Sequence, residues 1–459
     1  MVGFLLFATR RAGLVLSLMF ALCAAVSAQS VAPTPPMGWN SWDAYGFTID
    51  ESQFKDNVKV LASMRQLGWQ YAVIDEGWYM RNPAGHDLAE RNYLYDANGL
   101  LMPDEERFPS AANRAGFKPL SDWVRSQGLK FGIHIVRGIP KQVVQANLPI
   151  AGSSFHAADA ADTESTCPWD DANYGVKDNA AGQAYYDSML KRYAEWGLDF
   201  IKVDCIADRP YRITEIRQIA EAIRKTGRPI VLSLSPGPTN LEHADEVAKY
   251  AQMTRISDDH WDVWKDSGKK AEFPFGLGEE FERIAAWNKY ARPGFWPDPD
   301  MLPEGSLTPH PGWGEPRQSR YTQDEQRTEI TLWAVSRSPL IYGGNLTKLD
   351  DFSRGLLTNK DVMEIDQKAS VSGPALMPMN EGRPPLPWAA WYARVGGRTY
   401  AAVFNVSDEA IKTDVAWLSF HLADKPHAAY DVWAGKHISM SKALHAELAP
   451  HACLLYRIE

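Results

Sequence analysis

Carboxylates collect where this chain ends its apolar runs: Asp75 and Glu76, Asp204, Asp258 and Asp259, Asp298 and Asp300. Lys202 and Arg255 are interleaved with them. Crowded like charges raise one another's pKa, and a purely structural surface gains nothing from that. Chemistry that needs one ionised and one protonated carboxyl does gain. Two carboxyls flanking a glycosidic bond, one a nucleophile and one an acid, form such a pair. The competing chemistry is metal-assisted hydrolysis, which recruits His ligands. His134 is the one histidine inside a proposed strand, His260 follows Asp259, and no cysteine has Cys/His metal spacing.

These side chains need elements to position them. Phe200-Ile201-Lys202-Val203-Asp204-Cys205 is an apolar run bounded by Trp196-Gly197 and Asp208-Arg209-Pro210. It reads as a strand buried on both faces, whose last residues emerge at the C-terminal rim of a parallel barrel, where ligands bind. Similar runs begin at Met37, Tyr71, Lys130, Pro229, Met253, Trp296 and Pro339, with helix-like stretches between them. Eight strands with crossover helices over roughly 300 residues predict a (β/α)8 TIM barrel. Two excursions break the rhythm, one from Arg81 to Pro109, long enough to suggest function, and one carrying Cys167. From about Ser370 short alternating runs replace the helices, and Gly396-Gly397 marks a hairpin. The expected organisation is a signal segment over 1–28, the barrel over 29–368 and a small antiparallel β-sandwich domain over 369–459.

Composition narrows the partners. The 459 residues are 45% hydrophobic and 23% charged, an ordinary globular balance. A net charge of −9 argues against a nucleic-acid partner and suits a neutral substrate. Seventeen Trp and eighteen Tyr exceed what a core needs, and carbohydrate clefts use such flat faces. Arg10 and Arg11, the apolar run Leu14 to Ala25 and the small exit Val26-Ser27-Ala28 have the layout of a secretory signal cleaved near Ala28. A secreted or periplasmic protein is expected, with no membrane association once the signal is removed. Export leaves Cys167, Cys205 and Cys453, hence one disulfide and one spare thiol at most. Cys167 and Cys205 both fall where barrel loops gather and are the expected pair, with Cys453 a buried strand residue. Asn345-Leu346-Thr347 and Asn405-Val406-Ser407 are glycosylation sequons.

Pro35-Pro36-Met37-Gly38-Trp39-Asn40-Ser41-Trp42 resembles the opening signature of the clan-D α-galactosidases, glycoside hydrolase family 27. Arg107-Phe108-Pro109-Ser110, Gly128-Leu129-Lys130-Phe131-Gly132-Ile133, Lys202-Val203-Asp204, Arg255-Ile256-Ser257-Asp258-Asp259, Asp298-Pro299-Asp300-Met301 and Arg337-Ser338-Pro339-Leu340 are similar to later family motifs, in order. The resemblance runs from about Pro33 to Asp366. It implies a retaining exo-glycosidase that needs no metal or organic cofactor and releases terminal α-D-galactose from an oligo- or polysaccharide. By the same resemblance Asp204 is the nucleophile and Asp259 the acid/base, with Asp258 its rival. Lys202 and Arg255 are sugar-binding cations, with Lys202 keeping Asp204 ionised, Trp39 is the aromatic wall, and Asp75 accepts a sugar hydroxyl. Asp262, Trp264, Asp298 and Asp300 are supporting residues. Retention requires carboxyls about 5–5.5 Å apart.

Four departures bear on substrate and site. Glu76 stands where α-galactosidases have a second Asp, and its extra methylene pushes a carboxyl toward the sugar's exocyclic CH₂OH. Family members acting on β-L-arabinopyranosides, galactose-shaped sugars without that group, differ at this position. Ser233-Leu234-Ser235-Pro236-Gly237-Pro238 replaces the usual pattern after Ser-Leu, leaving Ser235 as a candidate for the sugar's 2-position. His134 replaces a third-strand Tyr, and Cys205 follows Asp204 directly. The alternatives are a β-L-arabinopyranosidase of the same mechanism and, in another class, a non-catalytic sugar-binding protein on an enzyme-derived barrel.

Overall fold

In the computed structural model, which describes residues 31–83, 91–265, 275–308, 315–376 and 386–459, eight short strands line up in parallel. They are β1 (Met37–Asn40), β2 (Tyr71–Ile74), β3 (Lys130–Val136), β4 (Phe200–Asp204), β5 (Val231–Leu234), β6 (Met253–Arg255), β7 (Trp296–Asp298) and β8 (Leu340–Tyr342). From β1 to β7 each strand pairs with the next in sequence, and β8 pairs with β1. The ring closes beyond the end of β7, where Leu302 bridges Tyr342. There the Leu302 N–H donates to Ile341 O at 2.8 Å and the Gly343 N–H to Leu302 O at 3.0 Å. This is the (β/α)8 barrel, with the irregular seventh strand as its weakest seam. Residues 1–30, including the signal segment, lie outside the described residues.

The outer helices are α1 (Glu51–Ser63), α2 (Lys118–Ser126), α3 (Ala180–Trp196), α4 (Ile213–Thr226), α5 (Ala244–Val247), α6 (Leu277–Trp287), α7 (Gln323–Ser336) and α8 (Lys360–Lys368). Helix α1 starts at a capping box, in which Asp50 accepts from the Gln53 N–H while Gln53 accepts from the Asp50 N–H. Its Phe54, Val58 and Leu61 face the barrel, at helical spacing. Helix α3 stops at Gly197, whose φ of 86° is the left-handed turn that frees the chain to begin β4.

Strand alternation decides what faces inward. Tyr71, Val73, Phe200, Val231, Met253, Trp296 and Ile341 form a cluster of their own inside the ring. Trp39, Ala72, Ile133, Ile201, Val203 and Leu232 join the cluster shared with the helices. Residues two apart on a strand therefore share a side, so Lys202 and Asp204 both follow Phe200 inward. The predicted strands overran at their carboxyl ends. β2 stops before Asp75 and β6 stops at Arg255, so Glu76, Asp258 and Asp259 belong to loops.

The second excursion folds on itself, with Ile139–Pro140, Ala161–Thr166 and Asn173–Val176 forming a small antiparallel sheet. Sequence patterning gave no sign of it, because two residues and four cannot establish a period of two.

After α8 come β9 (Val371–Leu376), β10 (Trp388–Val395), β11 (Arg398–Asn405), β12 (Ile411–Ala416), β13 (His427–Asp431), β14 (Lys436–Met440), β15 (Ala443–Leu448) and β16 (Cys453–Ile458). Six form one sheet in the order β9-β10-β11-β16-β13-β14, and β12 pairs with β15. Alternate residues split between two cores. Ala389, Trp391, Ala393 and Tyr400 pack against the barrel, whereas Ala390, Ala401 and Val403 meet Trp417 and Leu444 of the sandwich interior. Asn405, of the second sequon, is buried, and its amide donates to Glu409 O (2.7 Å) and Ala449 O (2.8 Å).

Candidate active site

A cavity of about 410 Å³ opens at the C-terminal ends of the barrel strands, within the size range of small-molecule sites. It collects Asp75, Glu76, Lys202, Asp204, Ser235, Arg255 and Asp259, every sequence-derived sugar-site candidate except Trp39.

Asp204 ends β4. Its Oδ1 accepts the Cys205 N–H at 2.7 Å and the Ser235 hydroxyl at 3.1 Å, and its Oδ2 lies 3.6 Å from His134 Nε2. Burial by itself would raise the carboxyl's pKa, but the His134 contact, followed by Lys202 and the Cys205 N–H, outweighs burial and holds it below the usual value. Lys202 thus ranks behind His134 in holding the Asp204 charge. The Lys202 ammonium instead donates to Asp75 Oδ2 at 3.0 Å. Asp75 also accepts from the Asn40 amide at 2.6 Å. Although burial opposes ionisation of both partners, the ion pair wins: the Asp75 pKa falls and the Lys202 pKa rises.

Asp259 lies on the loop beyond β6, its side chain 38% exposed, with Oδ1 3.2 Å from Arg255 Nη2. Burial of its carboxyl raises its pKa, Arg255 pulls it down, and the Asp258 and Asp204 charges push it up, for a net rise. The two candidate catalytic carboxyls are thus tuned in opposite directions within one cavity. Asp258 is spent elsewhere: Oδ2 accepts from Arg209 at 2.6 Å and Oδ1 accepts the Asp259 N–H at 2.9 Å. Its ion pair takes it out of contention for the acid role.

Arg255 is buried and also pairs with Asp300 at 2.8 Å. Asp300 lines the cavity, sits at φ 91° and accepts the His260 N–H at 3.0 Å. Asp298 accepts the Asp300 N–H at 3.0 Å, and burial raises its pKa to about 7. Asp262 is fixed by Arg317 and by the Arg320 N–H (2.7 Å), while Trp264 stacks on His451 of the sandwich with ring centroids 3.8 Å apart. Both brace the loop that carries Asp259. Buried His260 accepts or donates at Glu329 Oε1 (2.7 Å), and burial drops its pKa to about 3.

One position is corrected. Trp39 is fully buried, and its indole N–H donates to Gly344 O at 2.8 Å. Facing the helices rather than the ring's interior, it is no part of the cavity wall. The aromatic faces there are Trp42, Phe47, Trp169 and Trp261. Ser235 does line the cavity, but its hydroxyl is engaged with Asp204.

The loops add residues that sequence reasoning did not name. Arg91 Nη1 reaches Asp170 Oδ2 at 3.1 Å and Glu76 Oε1 at 3.9 Å. Burial raises the Glu76 pKa, and Asp170 adds to the rise while Arg91 opposes it. Cys167 and Cys205 are joined in a disulfide, Cα–Cα 5.9 Å, tying this wall to the residue after Asp204. The available signal was the long excursion from Arg81 to Pro109, which indicated function but not which residues supply it. Among the described residues no group of three or more His, Cys, Asp or Glu is arranged to hold a metal, and no helix is long and apolar enough to cross a membrane.

Comparison with known proteins places this geometry. Residues 172–368 match the family model described as alpha galactosidase A, and 387–458 match the alpha galactosidase C-terminal beta sandwich domain. The crystal structure of a GH27 β-L-arabinopyranosidase from Geobacillus stearothermophilus is 40% identical and superposes with a TM-score of 0.86, over 93% of this chain and 97% of that one. The chain belongs to glycoside hydrolase family 27. A variant of the same GH27 enzyme, solved in complex with arabinose, is 39% identical with a TM-score of 0.87, covering 95% and 99% of the two chains. The α-galactosidase A of Cellvibrio japonicus is 27% identical over 97% of each chain. As a GH27 member this protein is a glycoside hydrolase.

Proposed function

We propose that the protein is a retaining exo-glycosidase that releases terminal galactose-shaped pyranosides, with β-L-arabinopyranosides preferred. One observation carries the mechanism: Asp204 and Asp259 line a single cavity, the first carboxyl held toward its ionised form and the second toward its protonated form. Asp204 attacks the anomeric carbon as the bond to the leaving oxygen breaks, and Asp259 delivers its proton to that oxygen. Esterification removes the Asp204 charge, one of the causes that raise the Asp259 pKa. With that charge gone, Asp259, having given up its proton, stays ionised; it takes a proton from water as the water oxygen attacks the anomeric carbon and releases the sugar from Asp204. Lys202, Asp75 and Arg255 supply donors and acceptors for the ring hydroxyls.

Glu76 supports the sugar preference. It faces the cavity where the family's α-galactosidases carry the shorter Asp, and Arg91 and Asp170 hold that wall in place. The added methylene takes space that an exocyclic CH₂OH needs. The likeness to an arabinopyranosidase supports the same choice. The α-galactosidase reading stands second, on a relative of that activity spanning nearly the whole chain. Export to the periplasm or beyond is part of the proposal, on the N-terminal charge and apolar pattern.

The test is a panel of aryl β-L-arabinopyranoside, α-D-galactoside and α-N-acetylgalactosaminide with wild type and Glu76→Asp. The wild type should favour the arabinopyranoside in kcat/KM, and Glu76→Asp should move the preference toward the galactoside by about 10- to 200-fold, the value of one methylene in a pocket. An unchanged ratio would refute the role of Glu76, and turnover of none of the three would end the substrate assignment.

A further inference from the structure

Of the described residues lining the cavity, Trp169 alone is exposed at the surface, at 43%. A large aromatic left this open to water forgoes much of what burial of its apolar area would contribute to folding. Nor is it a loose loop side chain. Cys167, two residues before it, is bonded to Cys205, directly after Asp204. Asp170, the next residue, is buried and held by Arg91 at 3.1 Å and by the Tyr93 hydroxyl at 3.3 Å. The backbone is clamped on both sides while the indole stays at the mouth.

The cavity is blind below, because Phe200, Val231, Met253 and Trp296 fill the ring beneath it. A substrate's leaving group therefore extends through the mouth. Asp259, which protonates it, has the more exposed of the two catalytic carboxyls, 38% against 17% for Asp204. Arg91 and Asp170, ion-paired with each other, line the same cavity as the indole. A flat apolar face in a cavity that also holds charged groups matches a sugar ring, whose faces are C–H and whose rim is hydroxyl.

We propose that Trp169 is the platform for the first sugar ring of the leaving group, so that the natural substrates are di- or oligosaccharides rather than glycosides of small alcohols. This rests on the two-carboxylate reading above. Substrates differing only in leaving group pass through the same Asp204 ester, so the platform acts on kcat/KM and not on the step that hydrolyses the ester.

The experiment compares kcat/KM for a glycosyl fluoride, whose leaving group is one atom, with that for a disaccharide of the same terminal sugar, using whichever sugar the wild type turns over. Trp169→Ala should lower the disaccharide value about tenfold more than the fluoride value, and Trp169→Phe should restore most of it. Transfer from the fluoride to an added pyranoside acceptor should fall in the Ala variant by a similar factor, since the acceptor must occupy the same platform. Equal losses on both substrates, or none, would overturn the proposal while leaving the two-carboxylate mechanism intact. A wild type inactive on the fluoride would overturn both.

Discussion

The floor and the rim of the cavity are built by different means. Floor residues sit on strands at fixed register: His134 lies opposite Lys202, Lys202 opposite Ser233, and Arg255 opposite Asp298. Each is held by backbone pairing to a neighbouring strand, and the spacing follows from strand geometry. The rim comes from loops. Glu76, Arg91, Asp170 and Asp259 have no ladder to hold them and are fixed by ion pairs, while Trp169 is fixed through a neighbouring disulfide. On the proposed mechanism the floor keeps a nucleophile charged and grips ring hydroxyls, tasks common to every galactose-shaped substrate. The rim would then decide how much room the sugar's exocyclic carbon has and what the leaving group touches, and loops can change without disturbing the barrel.

The sharpest way to break this division is Asp204→Asn. On the proposed mechanism it removes the bond-forming group, and turnover should fall at least about 10⁴-fold on every substrate, whatever the leaving group. Circular dichroism would check that the fold survives. A loss confined to poor leaving groups would move the nucleophile elsewhere.

Asp259→Asn should behave differently, because a rim acid matters in proportion to how much its proton is needed. We expect a loss of about 10²- to 10⁴-fold for a sugar leaving group and much less for a fluoride or activated phenol. Added azide should then rescue turnover by attacking the Asp204 ester without base assistance. A uniform loss across leaving groups would argue against the acid role.

The smallest expected effect is a displacement of the pH profile. Asp204 must be ionised, and its pKa is lowered, so activity in kcat/KM is lost only as pH falls below the usual carboxylate range. Asp259 must be protonated, and its pKa is raised, so activity is lost as pH rises through a value above that range. The two limbs of the bell are thus spread apart around the ordinary carboxylate range. Since His134 is the largest cause holding the Asp204 pKa down, His134→Gln should move the acid limb to higher pH and leave the alkaline limb in place. Movement of the alkaline limb alone would assign the limbs the other way round.

The floor was largely legible before any coordinates. Lys202, Asp204, Arg255 and Asp75 each follow an apolar run, and such runs end at the ligand-binding rim of a parallel barrel. The same reasoning failed at Trp39, placed in the wall by resemblance. Strand alternation puts Gly38 and Asn40 on one side and Trp39 on the other, and Asn40 is the residue that reaches Asp75. The competing claims of Asp258 and Asp259 could not be settled from the run alone. Arg209, which occupies Asp258, lies 49 residues away in sequence and reaches it only through the fold.

The order of apolar runs, the carboxylates that terminate them and the inward parity of Lys202 with Asp204 were written in the chain, because strand period and burial act over neighbouring residues. Which carboxyl holds its proton, which aromatic faces the mouth and which cation guards Asp204 were decided by tertiary packing. Those depend on charges and surfaces converging from loops distant in sequence, where desolvation and Coulomb terms act through space. No local pattern encodes that His134 and Ser235 meet the same carboxylate from two neighbouring strands.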